Sequence, residues 1–208
     1  MNILLVYKED YPWDVRVEKI ALSLMSRGHD VTIVARNRQC SKTTETVNGI
    51  EIVRLPALFK PDGLLNKLLN LPVWFNPFWI WTLRSALRGK PGALIIVRDL
   101  PLVKTALLVA RGARAKIMLD MAEVYPYMYE SGRQFSKGTN LESMIKSPAL
   151  AARYEAKVLP KIDHTLVMIE ESRDRLLQMG LSPQRVSIVS NTPPLDKFSG
   201  NTHQHQGR

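Results

Sequence analysis

Ala115-Lys-Ile-Met-Leu-Asp-Met-Ala-Glu-Val-Tyr-Pro126 is the stretch that decides the fold of this chain. It begins as an apolar run and ends abruptly in Asp120, Glu123, Tyr125 and Pro126. This pattern is typical of a buried strand whose carboxyl end opens into a polar loop. Ligands of open α/β sheets bind at the carboxyl ends of parallel strands. The stretch therefore predicts a functional edge, where the ends of other strands should also lie.

The amino-terminal residues predict a β-α-β unit. Met1–Tyr7 is a mostly apolar run, as expected of a strand buried on both faces, and Lys8–Trp13 is expected to be a loop. Asp14 can accept hydrogen bonds from the first free N–H groups of a following helix, whose apolar residues recur at helical spacing. Gly28 is expected to end that helix, and Val31–Ala35 to form the second strand.

Apolar runs and helical patterns alternate along the rest of the chain. Further strands are predicted at Gly49–Leu55, Ala93–Val97, Thr165–Ile169 and Val186–Val189. The alternation predicts one α/β domain over residues 1–198, with a doubly wound, mainly parallel Rossmann-like sheet of roughly seven strands flanked by helices. The polar, Thr-rich residues before Gly49 and the segment Tyr127–Ser147 are expected to be loops, and residues 199–208 a disordered tail.

The charge and the cysteine content restrict the class of partner. The net charge of +10 indicates an anionic partner, either a phosphate-bearing ligand or an anionic membrane surface. The excess is spread without a Lys/Arg block, which argues against nucleic acid. The single cysteine excludes an intrachain disulfide. Neither a signal peptide nor an apolar run of membrane-spanning length is found. We therefore expect a cytoplasmic protein, with any membrane contact peripheral and at the inner face of the cell membrane.

The segment Phe59–Lys90 is rich in leucine and carries three of the four tryptophans, Trp74, Trp79 and Trp81. Lysines and arginines are interspersed among them. One interpretation is that its helices simply cover the sheet. Another is that the three tryptophans contact a membrane surface, because Trp and Lys/Arg favour the lipid–water interface. The two interpretations are compatible, since one helix face can serve each.

Several common catalytic motifs are absent from the sequence. No glycine follows the first predicted strand, so neither a dinucleotide fingerprint nor a Walker loop is present. There is no nucleophile elbow and no zinc-protease motif. The four histidines lie in the tail or away from the predicted edge, so structural or solvated roles are favoured. No metal site is predicted.

The remaining candidates are polar residues at strand ends. Carboxylates and arginines there can bind the hydroxyls and phosphates of a ligand, although each acid can also serve as a helix cap or loop tie. As a group they favour binding. The candidates for ligand binding are Tyr11, Asp14, Arg16, Arg98, Asp99, Asp120, Glu123, Tyr125, Glu170 and Asn191.

With these segments placed, the chain resembles the amino-terminal domain of retaining GT-B glycosyltransferases of the family 4 type. The resemblance covers residues 1 to 198 and depends on the order of its motifs. These are Asp14-Val-Arg-Val17 with Ala21-Leu-Ser-Leu24, Arg27-Gly-His-Asp-Val31, Asp120-Met-Ala-Glu-Val-Tyr-Pro126, Glu171–Gly180, Arg185-Val-Ser-Ile-Val-Ser-Asn191 and Phe198.

The resemblance implies that this half binds a saccharide or lipid-linked acceptor. It makes Glu123 the catalytic candidate and Glu170 and Asn191 the cleft or hinge candidates, and the other binding candidates become candidates for acceptor binding. It implies that a carboxyl-terminal half, missing from this chain, binds a nucleotide-sugar donor, so no cofactor is expected here. The sequence departs from the family at Ala122, where many relatives carry a histidine near the reaction centre, and Glu123 is then a candidate replacement. The frequent Gly-Gly loop after the first strand is also absent.

Three hypotheses for the function follow. The first is the acceptor-binding half of a glycosyltransferase, inactive alone and dependent on a donor domain or a partner chain. The second is a non-catalytic subunit that recruits a partner glycosyltransferase to a membrane. The third is an unrelated Rossmann-like enzyme with its own nucleotide, which the missing glycine loop disfavours.

Overall fold

The computed structural model describes residues 1–12, 14–61, 63–71, 76–135 and 147–191. Eight strands form one sheet in the order β3-β4-β2-β1-β5-β6-β7-β8. The strands are β1 (Asn2–Asp10), β2 (Asp30–Arg36), β3 (Thr44–Val47), β4 (Ile50–Arg54), β5 (Leu94–Arg98), β6 (Lys116–Met121), β7 (His164–Val167) and β8 (Val186–Ile188). The helices are α1 (Val15–Met25), α2 (Leu64–Leu69), α3 (Pro77–Ala86), α4 (Val103–Ala113), α5 (Tyr125–Phe135), α6 (Pro148–Val158) and α7 (Glu170–Gln178).

The doubly wound, mainly parallel sheet predicted from the sequence is confirmed. Every neighbouring pair of strands runs parallel except β3 and β4, which are antiparallel. The strand order changes direction at β1, since the chain first builds outward on one side of β1 and then continues with β5 on the other. The carboxyl ends of β1, β5 and β6 therefore lie side by side at the point where such sheets bind their ligands.

The structure corrects three local predictions. The Thr-rich segment expected to be a loop contains β3, an edge strand whose residues alternate between exposed and half-buried, so no apolar run marks it. The segment expected to be a loop from Tyr127 begins inside α5, where Tyr125 and Tyr129 pack edge to face one helical turn apart. β1 continues to Asp10, past the predicted loop start at Lys8. The predicted tail, residues 199–208, lies outside the described residues.

The core consists of two apolar clusters, one on each face of the sheet. The larger contains Trp79, Leu83 and Leu119, and the smaller contains Val17 and Ile33. The central strands contribute to both clusters because successive side chains of a strand point to opposite faces. This burial on both faces explains the nearly continuous apolar runs in the sequence.

Helix α1 begins and ends as the sequence predicts. Asp14 Oδ1 accepts from the backbone N–H groups of Arg16 at 2.8 Å and Val17 at 3.2 Å, which satisfies two of the free donors of the first turn. After the helix, Gly28 takes a φ of +78°, a conformation that glycine adopts without steric cost. The cap fixes the helix start beside the carboxyl edge of the sheet.

Candidate functional site

Four charged side chains form a buried network at the carboxyl edge of the sheet. Arg16 donates from Nε to both carboxylate oxygens of Asp120, at 3.2 and 3.0 Å, and from Nη2 to Oδ1 at 2.6 Å. Arg98 donates from Nη1 to Asp120 Oδ2 at 3.1 Å and from Nε to Asp14 Oδ2 at 3.3 Å. The network thus connects α1 to the ends of β5 and β6.

The innermost pair of this network has little surface to offer a ligand. Arg16 is 4% exposed and Asp120 is 1% exposed. Buried charges are retained only when they are paired and hydrogen-bonded, and the forked Arg–carboxylate geometry meets that condition. The direct acceptor contact predicted for Arg16 and Asp120 stays a prediction. Their geometry gives them a positioning role, because they hold the strand ends and the helix start in register.

A second cluster lies beside the first and reaches solvent. Lys8 Nζ donates to the Tyr125 hydroxyl and to Asp99 Oδ2, the latter at 3.4 Å. Asp99 has a φ of +66°, which is uncommon for a residue other than glycine. Two hydrogen bonds hold it in this conformation: its N–H donates to the Asp120 carbonyl, and its Oδ1 accepts from the Ala122 N–H. The Lys8 side chain is 19% exposed, as is that of Asp14 in the first cluster, so a ligand can reach the network at both residues.

Burial and neighbouring charges shift the pKa values of several groups at this edge. Burial, followed by the charge of Asp99, raises the pKa of Tyr125 far above its ordinary range, so this hydroxyl stays protonated and accepts from Lys8. Burial alone would lower the pKa of Arg98, but the carboxylates of Asp99, Asp120 and Asp14 outweigh it and raise the pKa. Burial also raises the pKa of Tyr7 and of Tyr11 to about 12. The edge therefore holds neutral phenols and fixed charges at neutral pH.

The other predicted residues lie around this network in different settings. Glu123 is exposed and follows half-buried Ala122, and Glu170 and Asn191 are exposed near the ends of β7 and β8. Tyr11 is 3% exposed, and within the described residues its hydroxyl has no hydrogen-bond partner. Lys8 begins the polar stretch Lys8–Trp13 that follows the first predicted strand, but it is not among the individual residues predicted to bind a ligand. The available signal was a cation directly after the first apolar run, at the centre of the sheet.

The three tryptophans predicted to contact a membrane differ in placement. Trp79 is 0% exposed and belongs to the larger core cluster, so its predicted membrane contact is wrong: the inward face of α3 packs on the sheet. Trp81, two residues later on the same helix, is 60% exposed. Trp74 lies outside the described residues. Among the described residues no group of His, Cys, Asp and Glu could hold a metal ion.

The outward face of α2 is the main apolar surface of this segment. Leu64, Leu65, Leu68 and Leu71 are 73%, 57%, 51% and 42% exposed. Buried asparagines hold the opposite face. Asn70 Oδ1 accepts from the Asn37 N–H at 2.7 Å, and Asn66 Nδ2 donates to the Arg38 carbonyl at 2.9 Å; Asn76 Nδ2 donates to the Leu69 carbonyl.

Within the parts of the chain that the structure describes, no helix is long and apolar enough to cross a membrane.

The fold and this edge define a class of protein. The chain matches sucrose-phosphate synthase from Thermosynechococcus elongatus with a TM-score of 0.67 at 12% identity, over 94% of this chain and 49% of that one. It matches the E. coli trehalose-6-phosphate structure with bound UDP-2-fluoro glucose with a TM-score of 0.57 at 10% identity, over 95% of this chain and 50% of that one. It matches O. sativa Os79 with UDP with a TM-score of 0.58 at 14% identity, over 95% of this chain and 53% of that one. The structure is therefore the Rossmann-like half of a GT-B glycosyltransferase fold.

The family follows from the sequence. Residues 14–192 match the model of the glycosyl transferase 4-like domain, and the chain belongs to that family. The resemblance stated from the sequence motifs is thereby confirmed. No curated protein matches the sequence. The chain spans about half the length of the three solved structures named above.

Proposed function

We propose that this chain binds a saccharide or lipid-linked acceptor, to which a sugar is transferred from a nucleotide-sugar donor. The observation that carries the proposal is the charged, partly exposed cluster of Lys8, Asp99 and Tyr125 at the topological switch point of a GT-B half. Charged donors and acceptors held rigidly at such an edge can recognise hydroxyl and phosphate groups. The donor, in this proposal, is bound by a second domain of the same protein or of a partner chain.

The proposed roles divide by burial. Arg16, Asp120 and Arg98 hold the edge in shape, while Lys8 presents a half-buried cation that can take an acceptor phosphate or hydroxyl. Glu123 is exposed beside Ala122 and is the proposed catalytic or acceptor-contacting carboxylate. Glu170 and Asn191 are the proposed hinge-side contacts. Tyr11 and Asp14 support the edge from the start of α1.

A binding experiment with the chain alone tests this proposal. We expect saturation-transfer NMR with a panel of oligosaccharides and short-chain polyprenyl-phosphate saccharides to reveal an acceptor, and nucleotide-sugars to give no signal. Lys8→Ala should weaken acceptor binding about tenfold, since a charge-assisted hydrogen bond contributes roughly 1.5 kcal/mol or more. The matched control Lys42→Ala, at an exposed lysine, should bind as the unmodified chain does.

The result that would contradict the proposal is tight nucleotide binding by this chain without any saccharide binding. That outcome would instead favour an unrelated Rossmann-like enzyme. Robust sugar transfer by this chain alone would equally overturn the assignment, because GT-B chemistry is expected to need a donor domain facing this edge.

A second candidate function is a peripheral membrane subunit that recruits a partner glycosyltransferase in polysaccharide or cell-envelope synthesis at the cytoplasmic face. The observation that favours it is the outward leucine face of α2 with exposed Trp81. In this role the chain would co-sediment with an active partner transferase and leave its saccharide specificity unchanged. A change of acceptor specificity on adding this chain would favour the first candidate.

A further inference from the structure

A groove between α4 and α6 combines an apolar floor with an exclusively cationic rim. It has a volume of about 270 Å³. Its floor is formed by Leu107, Leu108 and Val158 with the ring of Tyr154. Tyr154 is fixed there because its hydroxyl accepts from the Lys104 N–H at 3.1 Å. The charged residues that line the groove are Lys104, Arg111, Lys157 and Lys161, with no carboxylate among them.

The positive charge continues beyond this groove. A neighbouring depression of about 370 Å³ shares Arg111 and Lys161 and adds Arg114. Its one carboxylate is Asp163, whose Oδ2 already accepts from the Ile117 N–H at 2.8 Å. Among the described residues, Arg111, Arg114, Lys157 and Lys161 make no ion pair. All four of these cations are exposed.

A structural explanation accounts for only part of this arrangement. Arg111, Arg114, Lys157 and Lys161 lie at or just beyond the carboxyl ends of α4 and α6, where the helix dipole favours cations. Two helix ends supply roughly one negative charge together, against four cations. The helix dipole also does not explain why an apolar side chain is exposed beside these cations, as Leu108 is at 42%. An apolar floor under unpaired cations is the surface complementary to an anionic amphiphile.

The helices that line the groove, together with α2 and α3, present no exposed acid, whereas α5, which packs on α6, carries the exposed Glu130. Helices α2, α3 and α4 contain no Asp or Glu, and the single acid of α6, Glu155, is buried and held by Arg175 at 2.8 and 2.5 Å. The acids near the surface lie elsewhere, for example at the start of α7. A large anionic surface can therefore approach α2, α3, α4 and α6 without meeting an exposed carboxylate on those four helices.

We propose that the groove between α4 and α6 binds one anionic phospholipid of a bilayer, with its phosphate held by Arg111, Lys157 and Lys161 and an acyl chain on Leu107, Leu108 and Val158. The end of the groove that carries Arg111, Lys157 and Lys161 is at the opposite edge of the sheet from the candidate acceptor site, because α4 and α6 end where β6 and β7 begin. The inference thus does not depend on the proposed transfer reaction. It is also distinct from the leucine face of α2.

Vesicle flotation with the full chain tests this proposal. Phosphatidylcholine vesicles with and without phosphatidylglycerol should differ strongly in bound protein. Each cation removed from contact with an anionic surface should lower partitioning about fivefold. Arg111→Gln/Lys161→Gln is therefore expected to lower it about 25-fold. The matched control Arg27→Gln/Lys42→Gln removes the same charge from exposed positions outside the groove, and should lower it less than threefold.

Two further measurements separate the groove from general electrostatic attraction. Leu108→Gln keeps the net charge but removes the apolar floor contact, and should weaken vesicle binding several-fold. In solution, dihexanoyl-phosphatidylglycerol should shift amide resonances of α4 and α6 at concentrations where glycerol phosphate and inorganic phosphate do not.

Three outcomes would overturn the proposal. Equal loss in the groove variant and its control would mean that net charge alone drives binding. Unchanged binding of both groove variants, with loss on Leu64→Ser/Leu68→Ser, would place the contact on α2. Equal binding of glycerol phosphate, or binding of an acidic peptide but not of vesicles, would assign the groove to a soluble anion or to a protein partner. Circular dichroism of each variant excludes unfolding as the cause.

Discussion

Asp120 ends the apolar run from which the fold was predicted, and it serves the fold more directly than it can serve a ligand. Its carboxylate is shared by two guanidinium groups on two different elements. A carboxylate after a strand can bind a ligand or tie loops together, and the sequence left both roles open. The exposure of 1% favours the tie. Lys8 and Glu123, which are more exposed, are better placed than Asp120 to contact a ligand.

Asp120→Asn should destabilise the chain by about 3 kcal/mol, because Arg16 would keep its buried charge without a compensating one. Denaturation in urea measures this loss as a lower midpoint. The double variant Arg16→Met/Asp120→Leu removes both charges of the innermost pair and leaves Arg98 paired with Asp14. It should recover most of the stability, since replacing both partners of a buried pair is often close to neutral. A single variant that loses less than about 1 kcal/mol would show that the network is not held as described.

The buried phenols make stability depend on alkaline pH. Burial raises the pKa of Tyr11 to about 12, above its ordinary value near 10, so the folded state binds that proton more tightly than the unfolded state does. Such a group adds stability below pH 10 that is lost as the pH rises through 12. The free energy of unfolding should therefore fall between pH 10 and 12, with Tyr7 and Tyr154 contributing in the same direction.

Tyr11→Phe tests this pH dependence at one residue. It removes a buried hydroxyl that lacks a partner among the described residues, so stability at pH 8 should be unchanged or higher. The decline above pH 10 should become shallower, as measured by denaturant midpoints at several pH values. A loss of stability at pH 8 together with an unchanged alkaline slope would contradict the assignment.

At the scale of elements, α2 is held by amides and presents leucines outward. This six-residue helix is too short to be stable by itself, so its orientation depends on the asparagines beneath it. Asn70 is central to this anchor, since it accepts from the Asn37 N–H and donates to both oxygens of Asn66. The exposed leucines are therefore fixed in place by the fold and form a permanent surface.

Asn70→Leu should cost about 2 to 3 kcal/mol, because it removes the partners of two buried groups, the Asn37 N–H and the Asn66 Oδ1. Hydrogen exchange should accelerate in α2 more than in the central strands, which locates the damage. Asn48→Gly is a control at an exposed asparagine. Its φ of +50° suits glycine, and its side chain loses only an exposed hydrogen bond to Glu18 Oε1, so stability should change by less than about 1 kcal/mol. Equal exchange in the two variants would remove the anchoring role.

At the scale of the whole molecule, the sequence was informative where both faces of a strand are buried. The runs at β1, β2, β5 and β6 are apolar for that reason, and the helix cap at Asp14 was readable from one residue. Edge strand β3 has one exposed face and polar residues, so it gave no such pattern. Asp99 and Tyr125 of the Lys8 cluster were predicted as binding residues, but their contacts with Lys8 could not be predicted, because they depend on which strand ends become neighbours.

The charge distribution over the molecule gives the two edges different partners. The carboxyl edge is close to neutral within its network, because Lys8, Arg16 and Arg98 face Asp14, Asp99 and Asp120. The charged residues that line the groove between α4 and α6 are all cations. The net charge of +10 read from the sequence therefore does not describe the candidate acceptor site, where geometry decides recognition.

The antiparallel strand β3 has a consequence for solubility. Without it, the backbone of β4 would present a row of unpaired N–H and C=O groups, next to the fully buried side chains of Ile50 and Ile52. Such an edge is a template for pairing with a second chain and for aggregation. The four-residue strand Thr44-Glu45-Thr46-Val47, held by the ion pair of Arg54 with Glu45, pairs with that edge, and its short length and the charge of Glu45 limit further pairing. The same short, polar sequence that gave no apolar pattern for a strand is therefore suited to the edge of the sheet.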